Sequence, residues 1–274
     1  MELLQYTFFQ HALIGSLLAC LSCATVGTYI VSRRMVFISG GLAHASFGGI
    51  GLGLFLGLPP VLTAAVFAVL SAFGIEWIGG RGKNVREDSA IAMFWTFGMA
   101  VGIIFSFLSP GFTADLSTYL FGNILTITSG DIALLAAVTA AVSLFFVLFA
   151  DSIIYVAFDR EFAMSRRMPV RAMEYVMMAF IALTIVACLR MVGIVLAISM
   201  LTIPQMTANL FTHRFKRIIL LSAVIGYACC LGGLALSYRY NIPSGATIIF
   251  LSIIMFLVCR CIKGISISLR RKNY

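Results

Sequence analysis

The feature that most constrains this chain is a series of apolar runs, each long enough to cross a bilayer, separated by polar segments. A helix needs about 20 apolar residues to span a hydrocarbon layer of ~30 Å. The alternating segments of about ten residues that form membrane β-barrels are not seen. The pattern therefore predicts an all-α, polytopic transmembrane bundle of about nine helices. The runs lie near residues 8–31, 40–57, 60–79, 90–108, 131–150, 173–190, 192–211, 218–237 and 244–262.

The charged residues predict how this bundle lies in the membrane. Only 11% of the residues are charged, against about 25% in soluble proteins, so we interpret residues 1–274 as a single transmembrane domain. Five basic clusters hold 17 of the 19 lysines and arginines, at residues 33–34, 81–86, 160–171, 214–217 and 260–273. With nine helices, all five fall on one side, which the positive-inside rule assigns to the cytoplasm. The amino terminus is then outside and the carboxyl terminus cytoplasmic, and the net charge of +9 needs no nucleic-acid partner.

A lone histidine lies in the glycine-rich run SGGLAHASFGGIGLG, Ser39–Gly53. At about 1.5 Å per helical residue, His44 lies roughly 15 Å beyond Arg34, near the middle of the hydrocarbon layer. A titratable group at that depth marks a pathway or a site that faces the protein interior. Gly48 follows one turn later and leaves space beside the imidazole. The alternative is a packed histidine that is satisfied by a neighbouring hydroxyl.

A second polar segment lies at the same predicted depth, in residues 191–213. Pro204 removes one backbone hydrogen bond near its middle and kinks or breaks the helix. Thr202 and Gln205 flank the break, where they can bond the freed backbone groups. Two irregular polar segments at the midplane favour a substrate route. Repair of the kink alone is the competing interpretation.

The inner segment 151–172 alternates charged and apolar residues before Pro169. This pattern predicts a short amphipathic helix that exposes an apolar ridge to the cytosol. Such a ridge suits docking of a cytoplasmic partner, whereas an ordinary solvated loop is the alternative. The residues concerned are Phe158, Asp159, Glu161, Phe162, Met164 and Arg166.

Two further segments bear on the energy source and the outer face. In the inner loop 80–89, Asn84 follows Lys83, so the GxxxxGK[ST] phosphate loop is absent. If ATP drives this protein, another chain binds it. On the outer side, the string YLFGNIL within residues 109–131 is too short to span, and it predicts a re-entrant or surface helix.

Five strings in order resemble the permease subunits of zinc-, manganese- and iron-type ABC importers. They are RRMVFISGGLAHASFGGIGLG, LFGNIL, FDREFAMSRRMPV, VGIVLAISMLTIPQMTA and NIPSGATII. The resemblance covers nearly the whole chain. It implies a homodimeric inner-membrane permease without its own ATPase, served by cytoplasmic ABC ATPase subunits and an extracytoplasmic metal-binding protein.

The resemblance also assigns roles to residues. It implies that His44 is a transit ligand for the metal and that the residues around Phe158–Met168 contact the ATPase. Many members of the family carry an aspartate four residues before the histidine, and this chain has Gly40 there. A carboxylate beside the imidazole would suit a divalent ion better than the imidazole alone, so Thr202, Gln205 or a backbone carbonyl near Pro204 is expected to compensate.

The substrate expected from the donor chemistry is zinc first, then manganese or iron(II), with no permanently bound cofactor. One alternative is an ABC permease for a larger metal chelate. Another is an ion-coupled secondary transporter, which would be expected to show membrane carboxylates or an inverted repeat. An intramembrane metalloprotease would need HExxH or a comparable cluster, and the three histidines, His11, His44 and His213, are far apart in sequence.

Overall fold

A computed structural model describes residues 7–80, 84–109, 122 and 127–272 of the 274-residue chain. The described residues contain nine helical segments that are long and apolar enough to cross a membrane. The predicted all-α, multi-pass architecture is therefore confirmed. Apart from Gly122, the predicted re-entrant string YLFGNIL lies outside the described residues.

Eleven helices follow one another along the described chain. Short helices near the middle and late in the chain connect the longer ones. The helices are α1 (Thr7–Ser32), α2 (Phe37–Leu56), α3 (Pro60–Gly79), α4 (Glu87–Leu108), α5 (Ser129–Leu148), α6 (Ala150–Phe158), α7 (Arg160–Ser165), α8 (Val170–Met200), α9 (Ile203–Asn209), α10 (Phe215–Tyr240) and α11 (Ser244–Lys272).

The long helix α8 contains a break that lets it serve two membrane crossings. Gly193 has φ 72° and ψ 169°, a backbone conformation that is essentially restricted to glycine. The two crossings on either side of it are Val170–Leu189 and Met191–Asn209. The second crossing is broken again, because α8 ends at Met200 and α9 begins at Ile203.

Pro204 occupies the first turn of α9, where the missing N–H costs nothing because that donor has no partner within a helix. The proline therefore breaks the crossing rather than kinking it.

The core lies along α8, which packs against both α1 and α2. Tyr29, Leu42 and Ile181 are completely buried there, whereas the outer helices present apolar side chains outward. Phe107 of α4 is 86% exposed and Val147 of α5 is 76% exposed. Lipid rather than water surrounds such residues in a membrane, so this exposure is expected of a bundle whose periphery contacts acyl chains.

Candidate functional site

His44 lies in the first half of α2 and is half-buried. Its ring stacks on Trp95 of α4, with 4.5 Å between the ring centroids and 5° between the planes. The buried Nδ1 atom has no hydrogen-bond partner among the described residues. Stacking fixes the plane of the imidazole without using either of its nitrogen atoms. The packed histidine bonded to a hydroxyl is therefore not what the described contacts show.

Glycines place Trp95 beside His44 by bringing the backbones of α2 and α4 into contact. A Cβ on Gly98 of α4 would lie 2.5 Å from the Cα of Ala45, the residue next to His44. Likewise, a Cβ on Gly48 would lie 2.8 Å from the Gly98 carbonyl oxygen and 2.8 Å from the Phe67 ring. Gly48 thus serves close helix packing. Its predicted role in leaving space beside the imidazole stays a prediction.

The position one turn before His44 has room for a side chain. A Cβ on Gly40 would make ordinary contacts, 3.7 Å from Ile198 Cδ1 and 3.8 Å from Trp95 Cζ3. Ile198 belongs to the second half of α8 and Trp95 belongs to α4, so two other helices border this position of α2. The carboxylate that the family resemblance implies is absent, although the backbone would accept it.

The other predicted pathway residues surround the break between α8 and α9. Thr202 donates from Oγ1 to the carbonyl oxygen of Ile198 at 2.9 Å. Gln205 is completely buried, and its Nε2 donates to the carbonyl oxygens of Cys23 at 2.8 Å and Met200 at 3.1 Å. The bonds to Ile198 and Met200 satisfy backbone carbonyl groups freed by the break, as predicted, and the bond to Cys23 ties α9 to α1.

The described hydrogen bonds tie Gln205 to α1 and to the end of α8 rather than to His44. The pathway role of Thr202, Pro204 and Gln205 stays a prediction.

The inner segment forms the short helix that its sequence predicts, α7, which ends before Pro169. The Asp159 carboxylate caps its first turn by accepting from the Phe162 N–H at 2.9 Å. Ala163 is the buried residue of this helix. The predicted docking residues are exposed. Phe158 is 60% exposed, Phe162 39% and Met164 46%, while Glu161 and Arg166 are also exposed. An apolar ridge rimmed by charges results, and its docking role stays a prediction.

A buried charge cluster at the ends of α1, α3 and α8 was not foreseen from the sequence. Glu174 of α8 is 2% exposed and accepts from two arginines, Arg33 Nη2 at 3.5 Å and Arg160 Nε at 3.2 Å. Arg33 also donates to the Tyr29 hydroxyl at 2.8 Å. Glu76 of α3 is nearby and 6% exposed. Of the two arginines that bond Glu174, Arg160 lies 14 residues away along the chain and Arg33 lies 141 residues away.

Four cysteines form two pairs in the core between α1, α8 and α10. The Sγ atoms of Cys20 and Cys230 are 3.8 Å apart, and those of Cys23 and Cys188 are 3.9 Å apart. All four are free thiols. In the part of the chain that the structure describes, no three His, Cys, Asp or Glu side chains are grouped to hold a metal ion. The pairs are at van der Waals contact, so we interpret these residues as small packing residues.

Comparison with known proteins gives concordant matches over almost the whole chain. The ABC 3 transport family matches residues 5–263. An uncharacterised membrane protein of Synechocystis is 38% identical over 94% of this chain and 91% of its own length. The manganese transport system membrane protein MntC of Halalkalibacterium halodurans is 31% identical over 93% and 87%. The solved structure of PsaBC from Streptococcus pneumoniae in complex with Fab matches with a TM-score of 0.83 and 31% identity, covering 94% of this chain and 93% of that one.

Proposed function

Because this chain belongs to the ABC 3 transport family, we propose that it carries a divalent transition metal inward across the cytoplasmic membrane. The resemblance to metal ABC importer permeases is confirmed by the family match and by the relatives. The chain is thus a multi-pass permease of an ABC transporter, and the ion-coupled secondary transporter is not supported. A path for the metal and the identity of the metal are the steps that we add.

The observation that carries the proposal is the state of His44. Its Nδ1 atom is buried and has no hydrogen-bond partner among the described residues, which is costly inside a membrane protein unless a ligand uses it. An imidazole nitrogen is a good ligand for first-row transition metals. A conduit also has to release its ion, and a sparse site does so more readily than a closed cage. His44 is therefore the proposed transit ligand.

A second copy of the chain is proposed to complete the path. His44, Trp95 and Ile198 are all half-buried, and Val195, one turn before Ile198, is 44% exposed. A polar group in this position should not face acyl chains. Covering the face with the same face of another copy would close a two-fold channel beside His44.

The power source is proposed to be a pair of cytoplasmic ABC ATPase subunits that dock on α7. The exposed ridge of Phe158 at the end of α6 and of Phe162 and Met164 on α7 supports this, because exposed apolar side chains on short helices suit a protein groove. ATP-driven closure of the ATPases would move α7 and open the path alternately to each side. An extracytoplasmic metal-binding protein would deliver the ion, as in the importers that the chain resembles.

Manganese is the substrate that we propose first, with zinc as the second candidate. The H. halodurans relative is named for manganese transport, and it matches this chain over nearly all of its length. The donor set favours zinc, because imidazole suits zinc whereas manganese prefers carboxylate and carbonyl oxygens. Gly40, which stands where a carboxylate would assist manganese, is the residue on which the two candidates differ.

Metal uptake by cells that express the chain with its ATPase tests the proposal. We expect His44→Ala to abolish uptake of manganese and zinc at limiting metal. Gly40→Asp should improve manganese uptake relative to zinc, since a Cβ fits there and residues four apart on a helix are neighbours on one face. Gly264→Asp is the control, because the surroundings of Gly264 are open. Unchanged uptake by His44→Ala would overturn the transit role.

A further inference from the structure

Arg160 joins the exposed helix α7 to the buried charge cluster. It is the first residue of α7, and its side chain is 22% exposed, whereas that of its partner Glu174 is 2% exposed. The same Glu174 oxygen accepts from Arg33, whose side chain is 1% exposed. One buried carboxylate thus holds a cation from the cytoplasmic helix and a cation from the end of α1.

Along the chain, the residues of the charge cluster lie near the sites on α2 and α8 that border the proposed metal path. Arg33 lies four residues before α2 begins at Phe37, and α2 carries His44. Glu174 lies in the second turn of α8, the helix whose far half carries Ile198. A displacement of Arg160 would therefore alter the bonding of residues that position α2 and α8. A bundle of packed helices transmits such a displacement because its interior deforms little.

A second carboxylate lies within reach of the same arginine. A cavity of about 280 Å³ is lined by Glu76 and Glu174 from two helices, by Arg160 and Arg171, and by Trp77, Gly80 and Tyr175. The Glu76 Oε2 atom is buried and has no partner among the described residues. Gly80 makes room for this carboxylate, since a Cβ there would lie 2.6 Å from Glu76 Oε1.

We propose that Arg160 and Glu174 are positioning residues that couple movement of α7 to the membrane-spanning helices, and that Glu76 is the carboxylate to which Arg160 transfers when α7 moves. This inference rests on the proposed function, because it takes α7 to be the helix that the ATPase moves. Arg160 thereby leaves one acidic side chain for another that lines the same cavity. Arg33 continues to neutralise Glu174 during the transfer.

The test measures metal transported per ATP hydrolysed, a ratio that a merely structural role would not change selectively. The chain is reconstituted with its ATPase in liposomes, with manganese as the probe. For Arg160→Ala we expect this ratio to fall about tenfold while hydrolysis and co-purification of the ATPase persist. Arg160→Lys, which keeps the charge, should restore much of the ratio. Arg86→Ala is the matched control, because Arg86 is an exposed arginine of the inner side that lies outside the cavity.

Glu76→Gln tests the transfer itself. It leaves the resting bonds of Glu174 intact, so the complex should assemble normally and still show a lower transport ratio. Asp88→Asn is its control, as Asp88 is an exposed carboxylate of the inner side. A ratio equal to wild type in Arg160→Ala would overturn the coupling role, and one equal to wild type in Glu76→Gln would overturn the transfer. Failure of the wild-type chain to bind an ATPase or move metal would instead overturn the proposed function.

Discussion

The site around His44 and the charge cluster around Glu174 are both polar regions inside an apolar bundle, but they are bonded in opposite ways. His44 stacks on one ring and leaves a buried nitrogen without a partner among the described residues. Glu174 accepts from two arginines, one of which also bonds a tyrosine hydroxyl. A metal cation could therefore bind the unpartnered nitrogen of His44, whereas the Glu174 carboxylate already has two cationic partners.

This difference separates two uses of polarity in a membrane. A paired cluster fixes the relative positions of helices, and removing one member leaves a buried charge without compensation. A buried nitrogen atom without a hydrogen-bond partner does not stabilise the fold, and its position inside the bundle points instead to a role in binding. We therefore expect substitutions in the cluster to affect stability most and substitutions at the site to affect transport most.

The largest loss of stability is expected from Glu174→Ala. The change leaves Arg33 buried without its carboxylate, and breaking a buried ion pair from one side costs about 3–5 kcal/mol. The unfolding midpoint of the purified chain in detergent measures the effect. Glu161→Ala, which removes an exposed carboxylate from α7, is the control. A loss as small as that of the control would show that the cluster does not hold these helices.

The next largest effect is expected from Gly51→Ala, in the packing that brings α4 to the site. A Cβ at Gly51 would clash with the carbonyl oxygen of Gly102 and lie 2.8 Å from its Cα. Backbone cannot move aside as a flexible side chain can, so we expect a loss of about 1–3 kcal/mol.

The same substitution at Gly264, where nothing lies within 4 Å of the new Cβ, should leave the unfolding midpoint unchanged or raise it slightly. Equal midpoints for the two variants would show that α2 and α4 are not held by backbone contact.

The sequence predicted the features that depend on residues close to one another along the chain. The apolar runs predict the helices, and the alternation of charged and apolar residues before Pro169 predicts α7. The partners of His44 and Glu174 could not be predicted in this way. Trp95 is 51 residues from His44 and Arg33 is 141 residues from Glu174. Which of these residues meet depends on how far one helix is shifted along another, and contacts such as that of Gly98 with Ala45 set that shift.

A smaller effect is expected from Trp95→Leu, which removes the ring stacked on His44. Loss of an aromatic pair lowers the free energy of unfolding by about 0.5–1.5 kcal/mol in addition to the contribution of the buried area. Because both rings are half-buried, we expect a loss toward the lower end of this range. Metal uptake should fall more than stability, because the imidazole would no longer be held in one plane. Phe107→Leu is the control, since Phe107 lies on the same helix and is 86% exposed. If metal uptake fell only in proportion to stability in both variants, Trp95 would have no separate role at the site.

The smallest effect is expected from Asp88→Asn, which breaks an exposed ion pair at the start of α4. Arg86 Nη2 lies 3.6 Å from Asp88 Oδ2, but the two side chains are 84% and 66% exposed. Water solvates both charges when the pair opens, so its contribution is about 0–1 kcal/mol and is screened by salt. The unfolding midpoint should therefore match that of wild type, and more closely as salt is raised. A loss comparable to that of Glu174→Ala would show that burial is not what distinguishes the two ion pairs.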